Sequence, residues 1–283
     1  MKIGIITDSA SNLDLAFINK HENLQMTPLM ISYEGAFHRD IIEVDYATVY
    51  KKLETTKVTT SLPSLEDFHA AIAKFEKEGY TDIIVITISS QLSGTFQAFE
   101  LASKDYKGAN LHLYDSKTLS AAQGNLVKVA LEGIENGLSI SRIIADLNQV
   151  RYEDSIALFT VETLKYLREG GRIGKVEGTL GDLLNVKPVI SVNDEGVYYT
   201  ITKAFGMKRV MLAMRKTLKE KFNDDLLDLT IHYGNNLLKA QSLKEKLELG
   251  LNTREVLISQ LTPVLGIHTG PEMYAIVARR VKK

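Results

Sequence analysis

The sequence predicts a two-domain α/β protein: an N-terminal domain on a parallel sheet and a C-terminal α+β domain with a mixed sheet. Two observations carry this. From the N-terminus, short apolar runs alternate with helical patterns, and the runs end in Asp, Ser and Thr. That is the pattern of βα units. After residue 154, two extended runs flank Asn193-Asp194-Glu195-Gly196 as a hairpin, and helices then alternate with strands. The boundary falls near 150–155, which gives domains 1–154 and 155–283.

The first strand covers 2–6 and ends in Thr7-Asp8-Ser9-Ala10-Ser11-Asn12, a polar turn before a helix over 13–19. Asp8 has two readings, a catalytic carboxylate or a residue that caps the next turn and holds a neighbouring loop. A short strand over 27–33 and a loop or hairpin over 33–40 follow. Asp45 caps a helix over 45–53, and Ser64 caps one over 65–78, with Glu66 and Asp67 in its first turn. Pro63 keeps Leu62 out of helical geometry, so Thr59, Thr60 and Ser61 lie on an extended approach. The run Ile83-Ile84-Val85-Ile86 is a buried strand within 82–89. Ser89, Ser90, Ser93, Gly94 and Thr95 then lead into a helix over 96–103. A strand over 110–114 and helices over 119–135 and 139–150 complete the domain.

In the second domain, a strand over 156–160 precedes a helix over 161–168, stopped by Gly170-Gly171. A short helix is expected over 178–185, then the hairpin strands 186–192 and 197–204. Helices over 208–222 and 236–249 alternate with strands over 227–233, 255–260 and 274–281. The segment Gly266-Ile267-His268-Thr269-Gly270-Pro271 reads as a turn.

Composition removes several function classes. The chain has 283 residues and a formal net charge of −1, so nothing electrostatic argues for nucleic acid. It has no cysteine, which excludes a disulfide scaffold, thiol catalysis and cysteine metal sites. No apolar run is long enough to span a bilayer, and the N-terminus reads as a strand rather than a signal peptide. A cytoplasmic location is expected. No Gly-x-x-x-x-Gly-Lys-Ser/Thr loop, Gly-x-Gly-x-x-Gly after a strand, Gly-x-Ser-x-Gly elbow or His-Glu-x-x-His is present. No metal site and no cofactor are expected. His21, His38, His69 and His112 read as surface or packing residues, and His268 reads as either a turn or a cleft residue.

What remains is a set of donors for an anion. Three hydroxyl-rich loops, 7–12, 59–64 and 89–95, each follow an extended segment and precede a helix. The first N–H groups of a helix carry positive partial charge. Ligands of α/β sheets sit beyond the carboxyl ends of strands. Capping alone is the alternative for each loop; their agreement favours a pocket.

In order along the chain, Thr7-Asp8-Ser9, Thr60-Ser61-Leu62-Pro63-Ser64, Ser89-Ser90-Gln91-Leu92-Ser93-Gly94-Thr95-Phe96-Gln97, Leu167-Arg168-Glu169-Gly170-Gly171-Arg172-Ile173, Lys187-Pro188-Val189 and Gly266-Ile267-His268-Thr269-Gly270-Pro271 together resemble the DegV family. The resemblance implies a two-domain protein that holds one long-chain fatty acid in a cleft between its domains. It implies further that some members are the acyl-carrying, non-catalytic subunit of a bacterial fatty-acid kinase. There a separate kinase subunit phosphorylates the bound carboxylate, and the acyl phosphate feeds phospholipid synthesis. Carried over, the carboxylate is held by Ser93 and by Thr60 or Ser61, within the loop that includes Gly94 and Thr95, with His268 nearby. Arg172 is then the cation at the head group or at the kinase docking surface. Glu272 stands where the resemblance leads one to expect glycine after Gly270-Pro271. Two other readings stay open: an acyl hydrolase or transferase with Ser93 as nucleophile and His268 as base, and a lipid-sensing module. The latter would use Arg172, Lys175, Lys203, Lys208 and Arg209 as an interaction face.

Overall fold

The computed structural model describes residues 2–179 and 186–281. These divide into two compact units: the chain up to Arg151 together with Thr262–Val264, and Tyr152–Leu261 with the chain from Leu265 on.

The first unit opens with β1 (Ile3–Asp8), α1 (Leu15–Lys20), β2 (Leu24–Thr27), β3 (Met30–Tyr33), β4 (Ala36–Arg39) and α2 (Tyr46–Thr55). It continues with β5 (Thr59–Ser61), α3 (Leu65–Lys77), β6 (Asp82–Thr87), α4 (Thr95–Ser103), β7 (Asn110–Asp115), α5 (Ser120–Glu135) and α6 (Ile140–Gln149). Its main sheet has the order β2-β1-β6-β7, and every pair is parallel. The central strands β1 and β6 are buried at every position, as expected of strands covered on both faces. Side-chain alternation divides their residues between two cores. Ile3, Ile5, Ile84 and Ile86 pack with Leu126, Val127, Ile143 and Leu147 of α5 and α6. Ile6, Ile83 and Val85 pack with Phe68, Phe75 and Phe99 of α3 and α4, where Phe68 and Phe99 stack at 3.9 Å.

The strand expected over 27–33 is two strands in different sheets. Pro28 lacks an N–H and breaks the ladder after Thr27. Strand β3 then pairs antiparallel with β4 and β5 in a separate three-stranded sheet. The 59–64 segment therefore opens as β5 of that small sheet, not beyond a strand of the parallel one.

The second unit contains β8 (Ser155–Val161), α7 (Lys165–Glu169), β9 (Val186–Val192), β10 (Tyr198–Phe205), α8 (Gly206–Phe222), β11 (Leu227–Tyr233), α9 (Leu237–Glu248), β12 (Thr253–Gln260), α10 (Pro263–Thr269) and β13 (Met273–Arg280). Helix α10 begins in the residues that cluster with the first unit. The sheet order is β10-β9-β8-β13-β11-β12, antiparallel throughout except β11 with β12. Its main core joins Leu158, Leu229, Ile231 and Ile276 to Val210, Met214 and Leu218 of α8 and to Ala240, Leu243 and Leu247 of α9.

Two expectations fail here. Val161 belongs to a strand because it pairs with Met273 of β13; the helix is only Lys165–Glu169. The segment 266–271 is not a turn but mostly the body of α10, which starts at Pro263 and ends where Gly270 adopts a φ of +78°. Proline at the start and glycine just past the end are ordinary helix punctuation. From residue 180 on, the helix expected over 178–185 lies outside the described residues.

Candidate functional site

In the first unit the site begins where β6 leaves the sheet. The backbone ladder between β1 and β6 ends at Thr7 and Ile86. The next rung is a side chain: Asp8 Oδ2 accepts from the Ile88 N–H at 2.7 Å. Ser89 N–H donates to the Thr118 carbonyl at 2.8 Å, and the Ser89 carbonyl accepts from Leu92 at 2.9 Å and Ser93 at 3.0 Å. Ser93 Oγ lies 2.8 Å from Thr95 Oγ1 and accepts from the Thr95 N–H at 3.4 Å. Ser93 thus stands at the first turn of α4, whose N-cap, Gly94, has no side chain to offer. Ser93 is half-buried, Gly94 exposed and Thr95 buried.

The other hydroxyls of this loop serve the loop itself. Buried Ser89 Oγ accepts from the Gln91 N–H at 3.2 Å. Ser90 Oγ accepts from Lys117 Nζ at 3.1 Å, and that ammonium also pairs with Asp115 at 2.8 Å.

Thr60 and Ser61 lie next to each other on β5, so their side chains point to opposite faces. Thr60 pairs with fully buried Ile31 and shares its face; Ser61 pairs with half-buried Met30. The following Leu62 lies over the Ser93 loop, since a Cβ on Gly94 would sit 3.4 Å from its side chain. The 59–64 and 89–95 loops are therefore neighbours in one unit.

Asp8 itself is fully buried. Its Oδ1 accepts from the Ala10 N–H at 3.0 Å and from Gln123 Nε2 at 3.2 Å. Burial pushes its carboxyl up to about 6 against these hydrogen bonds. It caps the turn Ser9–Ser11 and holds the β6 loop. Asp40, also buried, accepts from the Val264 N–H at 3.1 Å, and burial pushes it up to about 7. Neither Gln123 nor Asp40 stood out in the sequence, because each acts on segments far away along the chain.

In the second unit, α7 and α10 bring Gly170, Arg172 and His268 together. A Cβ on Gly170 would lie 2.1 Å from His268 Nδ1, so the imidazole rests directly on that backbone. A Cβ on Gly270 would lie 2.3 Å from the Tyr166 ring, which packs the two motifs against each other. Arg172 Nη1 donates to the Gly170 carbonyl at 2.6 Å. Burial, and then the Arg172 charge, hold His268 down at about 4, so the ring is neutral at pH 7. Glu272 is turned to a surface partner: its Oε2 lies 3.3 Å from Lys239 Nζ. Lys187 reaches the Glu162 carboxylate at 2.7 Å, and Lys175 pairs with Glu195 at 2.9 Å. Among the described residues no group of three His, Cys, Asp or Glu side chains can hold a metal. No helix among them is long and apolar enough to cross a membrane.

A family model described as "Uncharacterised protein, DegV family" matches residues 2–281. The chain belongs to the DegV family. A DegV domain-containing protein of Clostridium acetobutylicum is 36% identical over 276 residues, 98% of each chain. A solved DegV family protein from Thermus thermophilus, described by its fatty-acid binding, is 32% identical with a TM-score of 0.91 over 99% of this chain and 100% of its own. A stearic-acid-binding protein from Eubacterium ventriosum is 27% identical with a TM-score of 0.83, over 99% and 98% of the two chains. DegV relatives thus bind fatty acids as ligands, and this chain has their two-domain mixed α/β fold.

Proposed function

We propose that this chain binds one long-chain fatty acid and presents its carboxylate to a separate kinase for acyl-phosphate formation, in the cytoplasm and as the non-catalytic subunit. The head-group residues of this reading are Ser93 and Thr60 in the first unit and His268 and Arg172 in the second. Thr60 is preferred to Ser61 because only Thr60 shares the face of buried Ile31. Gly94 puts no side chain of its own at the start of α4, and Thr95 holds the Ser93 hydroxyl. A neutral His268 donates or accepts one hydrogen bond without adding charge. Arg172 supplies the cation for a carboxylate or a phosphoryl oxygen.

The observation that carries the reading is the near full-length likeness to fatty-acid-binding DegV structures. The energetics suit it. Burying an acyl tail contributes roughly 0.8 kcal/mol per CH₂, on the order of 10 kcal/mol for a long chain before association costs. A hydrogen bond to a charged group adds about 1.5–3 kcal/mol. The tail then sets affinity, and the hydroxyls set which end is presented.

Native and denaturing mass spectrometry of the purified protein tests the binding. A noncovalent C16–C18 acid that is lost on denaturation is expected. A covalent acyl group on Ser93 would point to an acyl enzyme instead. No bound mass, even after incubation with stearate, would overturn the reading. Coupling to a kinase is tested separately: Ser93→Ala should slow acyl-phosphate formation, and a wild-type rate would remove Ser93 from the role.

A further inference from the structure

Asp8 is an expensive choice for its position. A buried carboxyl whose ionisation is opposed by desolvation costs stability. A neutral side chain could cap the short Ser9–Ser11 turn without that cost. What an amide cannot do is accept on both of its terminal atoms. Asp8 does: Oδ2 takes the Ile88 N–H, while Oδ1 takes Ala10 N–H and Gln123 Nε2. Gln123 is itself fully buried and also donates toward Thr7 Oγ1 at 3.1 Å, so α5 fixes the carboxylate from behind. Helix α5 comes close enough to do this because Gly124 follows; a Cβ there would lie 2.6 Å from the Ser11 carbonyl.

The bond to Ile88 is made just before the functional loop, whose first residue, Ser89, is held in turn by the Thr118 carbonyl. Ile88 is followed by Ser89, whose carbonyl holds the backbone of both Leu92 and Ser93. We infer that Asp8 is a positioning residue for Ser93, acting through Ile88 and Ser89, so that the β1 turn sets where the head-group hydroxyl stands. This rests on the proposed role of Ser93 in fatty-acid binding.

The test uses the full chain with Asp8→Asn, Asp8→Ala and Gln123→Ala. Ser139→Ala is the control; it removes a helix cap on α6 that plays no part in this loop. Two quantities are read: the backbone amide resonances of Ile88, Ser89 and Ser93 without ligand, and the release rate of bound stearate. Asp8→Asn keeps the volume but cannot accept on both sides. It should shift all three resonances and speed release about tenfold, the scale of one lost hydrogen bond to a charged group. Asp8→Ala should do more and Gln123→Ala less, in the same direction. Ser139→Ala should leave the three resonances in place while lowering thermal stability. Unmoved Ser93 resonances in folded Asp8→Asn, or equal movement in the control, would overturn the inference. If neither Asp8 variant folds, Gln123→Ala decides by the same criterion. Because the resonances are read without ligand, a wild-type protein that binds no stearate would sink the proposed function and still leave the positioning question answered.

Discussion

In the first unit Ser93 is reached through hydrogen bonds: Asp8 to Ile88, Ser89 to Ser93, Ser93 to Thr95. In the second, His268 is seated by missing side chains, at Gly170 beneath the ring and at Gly270 against Tyr166. Ser93 is positioned by polarity, His268 by shape. The two respond to different perturbations. A polar series tolerates small changes in volume but responds to lost acceptors and to pH. A close-packed contact is intolerant of a single methyl.

The largest effect should therefore come from a methyl in the second unit. Gly170 has an ordinary helical φ of −78°, so Gly170→Ala adds crowding without backbone strain. Its cost should be about 1–3 kcal/mol, the usual scale of overpacking. Urea denaturation measures this, and the His268 ring resonance should move with it. Gly270→Ala should cost more, because its φ of +78° adds a left-handed penalty. A wild-type urea midpoint for Gly170→Ala would remove the shape argument.

Next comes pH, where the two units should slope in opposite directions. Asp8 and Asp40 have folded values raised to about 6 and about 7. Between the unfolded value near 4 and those values, the folded state holds the extra protons. Their contribution therefore falls as pH rises across that window. His268 and His232 are both held down to about 4 by burial. Their contribution is fully present above the unfolded value near 6.5 and is lost as pH falls toward 4. Asp40→Asn should raise stability at pH 7 relative to wild type and flatten the fall between pH 4 and 7. Urea titrations at several pH values measure both. A wild-type slope in Asp40→Asn would mean that Asp40 does not titrate in that range.

Ser93→Ala should be milder for the fold. It removes the bond to Thr95 and costs about 1 kcal/mol, while ligand retention drops far more. If thermal stability and retention fall together, Ser93 is only a helix-start residue. The smallest effect is electrostatic: Arg172→Gln should raise the His268 value, because burial remains the larger cause and the guanidinium the lesser one. Titration of the ring resonance checks the direction; no change would separate Arg172 from His268.

Local signals were legible because their range is short. Asp45 and Ser64 cap the helices predicted from them, each by a bond to the N–H three residues on. The buried run at β6 and the hairpin around Asn193 to Gly196 follow from composition within a few residues. The same reasoning misplaced the segment 266–271, although Pro263 and Gly270 marked its helix, because the glycines within it read as a turn. The run over 27–33 likewise reads as one strand, but Pro28 divides it between two sheets.

The ordered motifs likewise pointed to the family. They could not separate Thr60 from Ser61, since that depends on the register against β3. Nor could they show that Asp8 completes a rung with a residue eighty positions away, or that Gly170 makes room for His268. Most elements, the Asp45 and Ser64 caps and the mixed α/β class are legible in the sequence, because backbone propensity and amphipathic periodicity act over one or two turns of chain. Long-range contacts, by contrast, put Thr60 on the face of Ile31, Asp8 against the Ile88 N–H and Gly170 beneath His268. Those depend on contacts between segments that folding alone brings together.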